Sequence, residues 1–490
     1  MSTKKNHTQR SLLTLPASIY LFITLTIYPF FMLNGYFNAI YAKGIFQIYS
    51  ILITDVIAIL FLIIEHKKKE KTNSGSFPLL DYSILGFAIT AVISGLLSPF
   101  GSNAFSGAQS WYMAAFELVL YASIYALLSK HLPSEIGLLT ISYVVFAIVF
   151  LIAVLQGFQL DLFQLKSALS SDQWTSHIST VGNTNIYAGF LSLVLPFLMH
   201  QYITSKHSHH RILLGFDLIL GFISLVVASS DAGYLGVGVG CLIILGYYLY
   251  HGKHFEEIQR LFQAVFMISV AILIIDFAYT FMDNQCISLS GISKLMQTYH
   301  LEFLPISLCV FFYFLSKAKI QFSLRKIFYS YIGIIIITAT IALIYNVINF
   351  SFSWGTKRGY IWFVAMDLWK NFSIKEKLLG VGPDCFGLAI EQHTQYLTYI
   401  NEHWNVSIAN AHNEWLQYLC TMGLVGLFFY IGIIIGTIKT FINRQSSSLL
   451  CLSFFVGCMG YFSQGFFTNP NPFTATYLVI ALACLRYTSK

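Results

Sequence analysis

Long apolar runs constrain this chain more than any other feature. A helix that crosses a bilayer needs about 20 mostly apolar residues, and about fourteen stretches approach that length. They lie at about 12–33, 45–65, 83–98, 112–130, 137–158, 186–204, 211–230, 231–250, 261–283, 302–316, 327–350, 414–438, 449–467 and 473–487. With 56% hydrophobic and 10% charged residues, a soluble globule is excluded. The sequence therefore predicts an all-α, polytopic integral membrane helix bundle of about 12–14 transmembrane helices.

The basic residues predict the orientation, because Lys and Arg accumulate on the cytoplasmic side of a membrane protein. With fourteen spans and the N-terminus inside, 20 of the 28 basic residues lie on inner segments and 8 on outer segments. Five of those eight share one long segment between Lys357 and Lys377. We therefore expect both termini in the cytoplasm and this segment outside it. The +7 charge does not indicate a nucleic-acid partner, since the basic residues form short scattered clusters.

Three regions follow from this pattern. Residues 1–350 are expected to form a transmembrane helix bundle, residues 351–413 a long extracytoplasmic catalytic loop, and residues 414–490 the C-terminal transmembrane helices. The eight cysteines show no Cys-x-x-Cys pair or Cys/His ligand spacing. The spacing of the cysteines therefore predicts neither a metal centre nor a redox centre.

The outer loop begins with an arginine on a predicted helix. Positions 358, 362, 365 and 369 recur at helical spacing and fall on one face, which places Arg358 among aromatic residues such as Trp362. The guanidinium group is a permanent fork of donors that suits phosphate oxygens. On its own, an arginine in a loop is more often simply solvated.

The loop ends at a histidine. His412 lies at the entrance of the apolar run from Glu414, and the glycines of Leu379-Gly-Val-Gly-Pro-Asp384 mark a turn before it. The start of a helix attracts anions and disfavours a protonated imidazole, so His412 is suited to act as a general base. A boundary histidine is more often only hydrated, but the combination with Arg358 and the glycine turn favours a site.

Two other outer segments carry possible site residues. The turn at Asn183 and Asn185 is either an ordinary polar loop or a wall of the same site. Asp231 lies in a tight hairpin near the membrane surface, where an acidic group is costly unless it is paired or hydrated. On the inner side, a metal-binding role for His207, His209 and His210 is weaker than a role in anchoring to anionic lipid.

These motifs together resemble the O-antigen ligase and O-antigen polymerase family. The resemblance is densest over about 358–430, and it is carried by Arg358, Trp362, Leu379-Gly-Val-Gly-Pro383, Phe386, His412-Asn413-Glu414, Leu416, Gln417 and Gly423-Leu-Val-Gly426. Weaker resemblance extends to Gly182-Asn-Thr-Asn185. The fold implied is that of GT-C type glycosyltransferases.

The resemblance implies a glycosyltransferase that takes a glycan from a polyprenyl (undecaprenyl) pyrophosphate carrier and joins it to an acceptor hydroxyl. The partners implied are this lipid-linked donor, a glycan, lipid or protein acceptor, and membrane lipid, with no cofactor and no metal. His412 would remove the acceptor's proton and Arg358 would bind the pyrophosphate. The residues expected to bind substrate are Lys357, Trp362, Asn413, Glu414, Asn183, Asn185 and Asp231. The location implied is the bacterial cytoplasmic (inner) membrane, where a donor activated beforehand arrives in the lipid phase.

The chain departs from the family at one position. Many relatives have an arginine in the hairpin where this chain has Asp231, so a second phosphate-binding cation must come from elsewhere. The outer lysines Lys357, Lys166 and Lys294 are the alternatives.

Two other classes of function stay open at this stage. A transporter or flippase of lipid-linked oligosaccharides would need ionisable residues within its spans, and Asp55, Glu117, Asp217 and Asp276 are scattered over four of them. A non-catalytic envelope assembly scaffold would leave the pairing of Arg358 with His412 unexplained. Between ligase and polymerase, the absence of any feature for a lipid or protein acceptor slightly favours polymerase.

Overall fold

The computed structural model describes residues 11–36, 38–66, 77–107, 111–133, 136–167, 169–252, 255–281, 289–317, 323–403, 408–444 and 448–489. Their helices are α1 (Thr14–Thr26), α2 (Ala39–His66), α3 (Leu79–Leu96), α4 (Asn103–Ser106), α5 (Ala115–His131), α6 (Ile136–Gly157), α7 (Thr184–Thr204), α8 (Ser208–Ala228), α9 (Asp231–His251), α10 (Phe255–Phe281), α11 (Gly291–Thr298), α12 (Phe303–Lys317), α13 (Leu324–Ile348), α14 (Trp354–Asn371), α15 (Ile374–Leu379), α16 (Phe386–Glu391), α17 (Thr394–His403), α18 (Glu414–Ile442), α19 (Leu449–Gln464) and α20 (Pro472–Thr488). Strands β1 (His177–Ile178) and β2 (Gly182–Asn183) form one short antiparallel pair.

Each of the fourteen predicted apolar runs contains a helix. Among the described residues, nine helices are long and apolar enough to cross a membrane. The runs at α1, α5, α12, α19 and α20 form helices of 13 to 17 residues. The predicted all-α, multi-pass membrane fold is confirmed.

The centre of the bundle is built around α7. Nearly all of its residues are buried, and it packs against α8, α9 and α19. Glycines permit this close packing. A Cβ atom added at Gly236 would meet Ser192, and one added at Gly240 would lie 2.5 Å from the Cβ of Pro196. The apolar Gly236-x-Gly-x-Gly240 run therefore serves helix packing, as small residues do in membrane proteins.

The segment between α13 and α18 has a small core of its own. The buried side of α14 carries Tyr360, Ile361 and Val364, which pack with residues of α16 and α17 and with Cys420 of α18. The helix predicted from Arg358 to Trp369 is present within α14. The segment between α13 and α18 is therefore a folded unit packed on the start of α18.

Candidate functional site

The backbone around His412 is fixed by its neighbours. His412 adopts a left-handed conformation (φ 47°), and its N–H donates to the side-chain oxygen of Asn410 at 3.1 Å. The side chain of Asn413 caps α18 by accepting from the N–H groups of Trp415 and Leu416 at 2.9 and 3.1 Å. Gln417 accepts from the N–H of Ala411 at 2.9 Å. The imidazole is thereby held at the N-terminus of α18.

Three hydrogen bonds hold Glu414 in place. Its buried carboxylate accepts hydrogen bonds from the hydroxyls of Tyr430 at 2.6 Å and Tyr461 at 2.5 Å. Its N–H donates to the carbonyl of Gly465 at 2.8 Å. These contacts anchor the start of α18 to a later part of the same helix and to the C-terminal end of α19. The side-chain oxygen of Asn413 is also occupied, by the helix cap. These bonds fix the backbone next to His412, and the role of Asn413 and Glu414 in substrate binding stays a prediction.

The glycine turn before α16 docks on a break in α18. Gly423 departs from helical geometry (φ 68°, ψ −168°) inside α18. The carbonyls of Cys420 and Thr421, which precede the break, accept from the N–H groups of Val381 at 3.1 Å and Gly382 at 3.0 Å. Such carbonyls would otherwise be costly when buried. The segment between α13 and α18 is thereby hydrogen-bonded directly to the helix that follows His412.

Two glycines make this docking possible. A Cβ atom at Gly380 (φ 74°) would meet the backbone of Thr421, and one at Gly423 would meet the backbone of Leu378. Both glycines also have positive φ, which disfavours residues with a side chain. Gly380 and Gly423 are therefore complementary halves of one backbone contact.

Arg358 follows a left-handed turn. Gly355, Thr356 and Lys357 have φ values of 59°, 60° and 73°, and regular helix begins after them. Positive φ is costly for a β-branched residue such as Thr356. Gly359 then lets the carbonyl of Ser351 approach closer than any Cβ would allow. The Nη1 of Arg358 donates to the carbonyl of Gly355 at 3.2 Å, so the guanidinium folds back on this turn.

A segment between α19 and α20 contacts aromatic residues next to each of the two predicted residues. Phe467 contacts Trp354 and Trp362 of α14, with ring centroids 6.2 and 6.1 Å apart. Phe466 stacks on Trp415 of α18, with centroids 4.7 Å apart. This pair of phenylalanines therefore bridges the helix of Arg358 and the helix of His412.

Arg358 and His412 interact electrostatically. Burial, and then the charge of Arg358, lower the pKa of the His412 imidazole to about 4. Burial also lowers the pKa of Arg358, and the Asp231 carboxylate acts in the opposite direction. His412 is consequently neutral at pH 7. Arg358 lies within electrostatic reach of both His412 and Asp231.

Several donors at this site have no acceptor. Within the described part of the chain, the Nε of Arg358 and the Nε1 of Trp362 are buried and lack a hydrogen-bond partner. Neither ring nitrogen of His412 has a partner among the same residues. Buried polar groups are normally paired. Two unpaired donors one helical turn apart are suited to an anionic ligand with several oxygens.

The remaining predicted residues support neighbouring helices. Asn183 caps α7 by accepting from the N–H of Asn185 at 2.8 Å, and the side-chain oxygen of Asn185 accepts from Ser230 at 3.1 Å. Asp231 begins α9 and accepts from the N–H of Ile292 at 2.8 Å, which fixes the start of α11. These bonds join the N-termini of α7, α9 and α11, and Asp231 among them lies within electrostatic reach of Arg358.

The predicted outer lysines lie in different surroundings. Lys357 lies in the left-handed turn directly before Arg358. Lys166 donates to the carbonyl of Trp174 at 3.0 Å, and Lys294 is exposed on α11. For a metal, the described residues offer one set of three clustered ligands, Asp276, His300 and Glu302, which includes neither Arg358 nor His412.

Sequence reasoning missed the residues that assemble the site. Tyr430, Tyr461, Phe466 and Phe467 lie in apolar runs and have no motif around them. The only signal is Glu414 itself, since a carboxylate that opens an apolar helix requires hydrogen-bond donors nearby.

Comparison with known proteins supports the resemblance drawn from the motifs. Residues 217–431 match the model of a family described as O-antigen ligase. The matched range includes Asp231, Arg358, His412 and Gly423. No curated protein matches the chain.

Proposed function

Because residues 217–431 match the O-antigen ligase family, we propose that this protein is a metal-independent glycosyltransferase of cell-surface polysaccharide assembly. It transfers or polymerises a glycan from a polyprenyl pyrophosphate carrier onto an acceptor hydroxyl. The reaction takes place at the outer face of the cytoplasmic membrane, with both termini of the chain in the cytoplasm.

One observation carries this proposal. A neutral histidine with no hydrogen-bond partner among the described residues lies within electrostatic reach of an arginine whose Nε is buried and unpaired. A general base must be unprotonated, and a departing pyrophosphate must be neutralised. The pairing supplies both requirements in one place.

The reaction follows from these roles. A ring nitrogen of His412 accepts the proton of the acceptor hydroxyl as its oxygen forms a bond to the anomeric carbon of the donor glycan. The bond between that carbon and the pyrophosphate oxygen breaks, and its electron pair leaves with the polyprenyl pyrophosphate. Arg358 binds the phosphate oxygens, and the Nε1 of Trp362 donates to another oxygen. The proton remains on His412 until it is released to water.

Donor binding should raise the low pKa of His412. A base is most effective when its pKa is near the working pH, and about 4 in the free protein is below that range. The pyrophosphate brings negative charge to Arg358 and offsets the effect of Arg358 on the imidazole. The donor therefore raises the basicity of His412 when it binds.

The test is complementation with His412→Ala and Arg358→Ala in cells that lack the gene, followed by gel analysis of surface polysaccharide and assay of lipid-linked glycan. Matched controls are His403→Ala and Lys370→Ala, exposed residues of the same outer segment. Membrane levels of all four variants are measured. We expect both site variants to insert normally and lose the product while lipid-linked glycan accumulates on the outer face.

The same experiment separates the competing functions. Lipid-linked glycan that accumulates on the inner face would instead support a flippase. Wild-type behaviour of both site variants would overturn the catalytic roles of His412 and Arg358. Residual product that forms short chains indicates a polymerase, whereas unattached long chains indicate a ligase.

A further inference from the structure

A second polar cluster lies away from His412, where α10, α11 and α12 meet. Asp276 belongs to the last turns of α10, His300 follows α11, and Glu302 directly precedes α12. One nitrogen or oxygen atom from each of these three side chains lies within 4.8 Å of the others. The Nδ1 of His300 is 3.1 Å from Oε1 of Glu302.

The carboxylates of this cluster are incompletely paired. The side chain of Glu302 is 2% exposed, and its Oε2 has no hydrogen-bond partner among the described residues. Oδ1 of Asp276 is likewise buried and unpaired there. No lysine or arginine of the described ranges forms an ion pair with either acid. Burying an unpaired carboxylate costs free energy, so a cation bound at this point would stabilise the protein.

The turn that carries His300 is built with an unusual residue. The N–H of His300 bonds to the carbonyl of Gln297 at 3.3 Å, and the N–H of Leu301 bonds to that of Met296 at 2.9 Å. This is the Schellman pattern, whose left-handed position is usually glycine. Here His300 occupies it with φ 49°. The backbone conformation thus favours glycine, whereas the residue present carries an imidazole, a side chain able to bind a metal ion.

We propose that Asp276, His300 and Glu302 bind one divalent transition-metal ion, with Zn²⁺ preferred. An imidazole nitrogen with two carboxylate oxygens suits zinc and its neighbours, whereas Mg²⁺ and Ca²⁺ favour all-oxygen sites. Ligands about 2.0–2.2 Å from a tetrahedral zinc ion lie about 3.3–3.6 Å from one another. The Nδ1 of His300 and the Oε1 of Glu302 are already 3.1 Å apart, and one oxygen of Asp276 lies within 4.8 Å of the other two ligand atoms. The cluster therefore reaches that geometry with shifts on the order of 1 Å. His300 is 68% exposed, which leaves room for a water ligand.

The ion would tie α10 to the turn between α11 and α12. The other end of α11 is fixed by Asp231, whose carboxylate acts on Arg358. A metal ion here would hold the element next to the Arg358 site, and none of its three ligands is among the residues proposed to react.

The test uses the full-length protein in detergent with a histidine-free purification tag. Zinc retained after gel filtration is measured by mass spectrometry, and affinity is measured by competition with a chelating dye. We expect one Zn²⁺ per chain in the wild type. His300→Ala and the isosteric Glu302→Gln should weaken binding by at least about tenfold. The control is His207→Ala with His210→Ala, because these two histidines lie close together on α8 and the residue before it and offer a competing site.

A second readout keeps the test decisive if one variant folds poorly. Zinc should raise the thermal midpoint of the wild type and of the His207 and His210 control, but not that of Glu302→Gln. Absence of binding to the wild type would overturn the proposal, as would binding that is lost in the control and retained in Glu302→Gln.

Discussion

The two halves of the proposed site are held in different ways. Around His412, side chains of Asn410, Asn413 and Gln417 bond the backbone, and Tyr430 and Tyr461 fix the neighbouring Glu414. Around Arg358, aromatic contacts and a left-handed turn replace this network, and the guanidinium makes one described hydrogen bond, to Gly355.

The difference matches the two tasks. A base that removes a proton must be placed accurately before the reaction, and a network of hydrogen bonds achieves this without reorganisation. An arginine that binds a pyrophosphate must also release it. Its unpaired donors are therefore available to the phosphate oxygens. Without a ligand, their burial costs free energy because they have no hydrogen-bond partner.

The largest predicted effect is on kcat, and it should differ between variants of His412 and of Arg358. His412→Gln should lower kcat on the order of 10²- to 10⁴-fold, the usual contribution of a general base, with little change in KM. Arg358→Lys should raise KM for the lipid donor as well as lower kcat, because lysine cannot form the same bidentate contact. Steady-state kinetics with a purified lipid-linked donor measures both. Equal kcat and KM changes in the two variants would contradict the division of roles.

A smaller effect concerns the contact between the glycine turn and α18. Gly423→Ala should destabilise the protein by about 2–4 kcal/mol, because its Cβ overlaps the backbone of Leu378 and its φ is positive. Gly101→Ala is the matched control: Gly101 also has positive φ (56°), yet nothing lies within 4 Å of its Cβ position. It should cost only about 1–2 kcal/mol. Thermal unfolding in detergent compares the two. Equal losses would show that crowding at Gly423 is unimportant.

The network on the histidine side can be weakened one bond at a time. Tyr461→Phe removes one of the two hydroxyls that bind the buried Glu414 carboxylate, and should cost about 1–3 kcal/mol. Tyr187→Phe removes a hydroxyl bonded to the neutral Ser224 at 2.8 Å, and should cost about 0.5–1.5 kcal/mol. Chemical unfolding of both variants gives the difference. A larger loss for Tyr187→Phe would indicate that Glu414 does not depend on Tyr461.

The smallest predicted effect is a shift in titration. Only neutral imidazole reacts with diethyl pyrocarbonate, so modification of His412 should be lost as pH falls through about 4. Arg358→Gln removes a positive charge and should move this midpoint upward, toward the ordinary value near 6.5. Mass spectrometry of the peptide that contains His412 resolves it from the other histidines. An unchanged midpoint would mean that Arg358 does not act on His412.

The sequence predicted the elements better than their assembly. Hydropathy located fourteen of the twenty described helices, because the length of an apolar span is a local property. The motifs around Arg358 and His412 predicted two residues that the structure brings within electrostatic reach. The bridge at Phe466 and Phe467 and the two tyrosines on Glu414 could not be predicted, since contacts between distant helices leave no period in the sequence.

Hydropathy also could not rank the helices by burial. α13 is among the most apolar helices, yet none of its residues is buried, whereas the less apolar α7 is almost completely buried. In a membrane the surroundings are as apolar as the core, so small and polar residues that allow close packing mark the interior.

The N–H groups of Val381 and Gly382 bond to the carbonyls of Cys420 and Thr421, and this contact limits where the chain between them can vary in length. It joins the two ends of the intervening stretch, so that stretch is a closed loop on a fixed base. Doubling the length of such a loop costs only about 0.6 kcal/mol in chain entropy. Tyr396 and Ile400 of α17 belong to the small core with α14. Insertions and deletions that leave α16 and α17 intact should therefore carry little thermodynamic cost, and the contour of the segment can change between related proteins while His412 keeps its place.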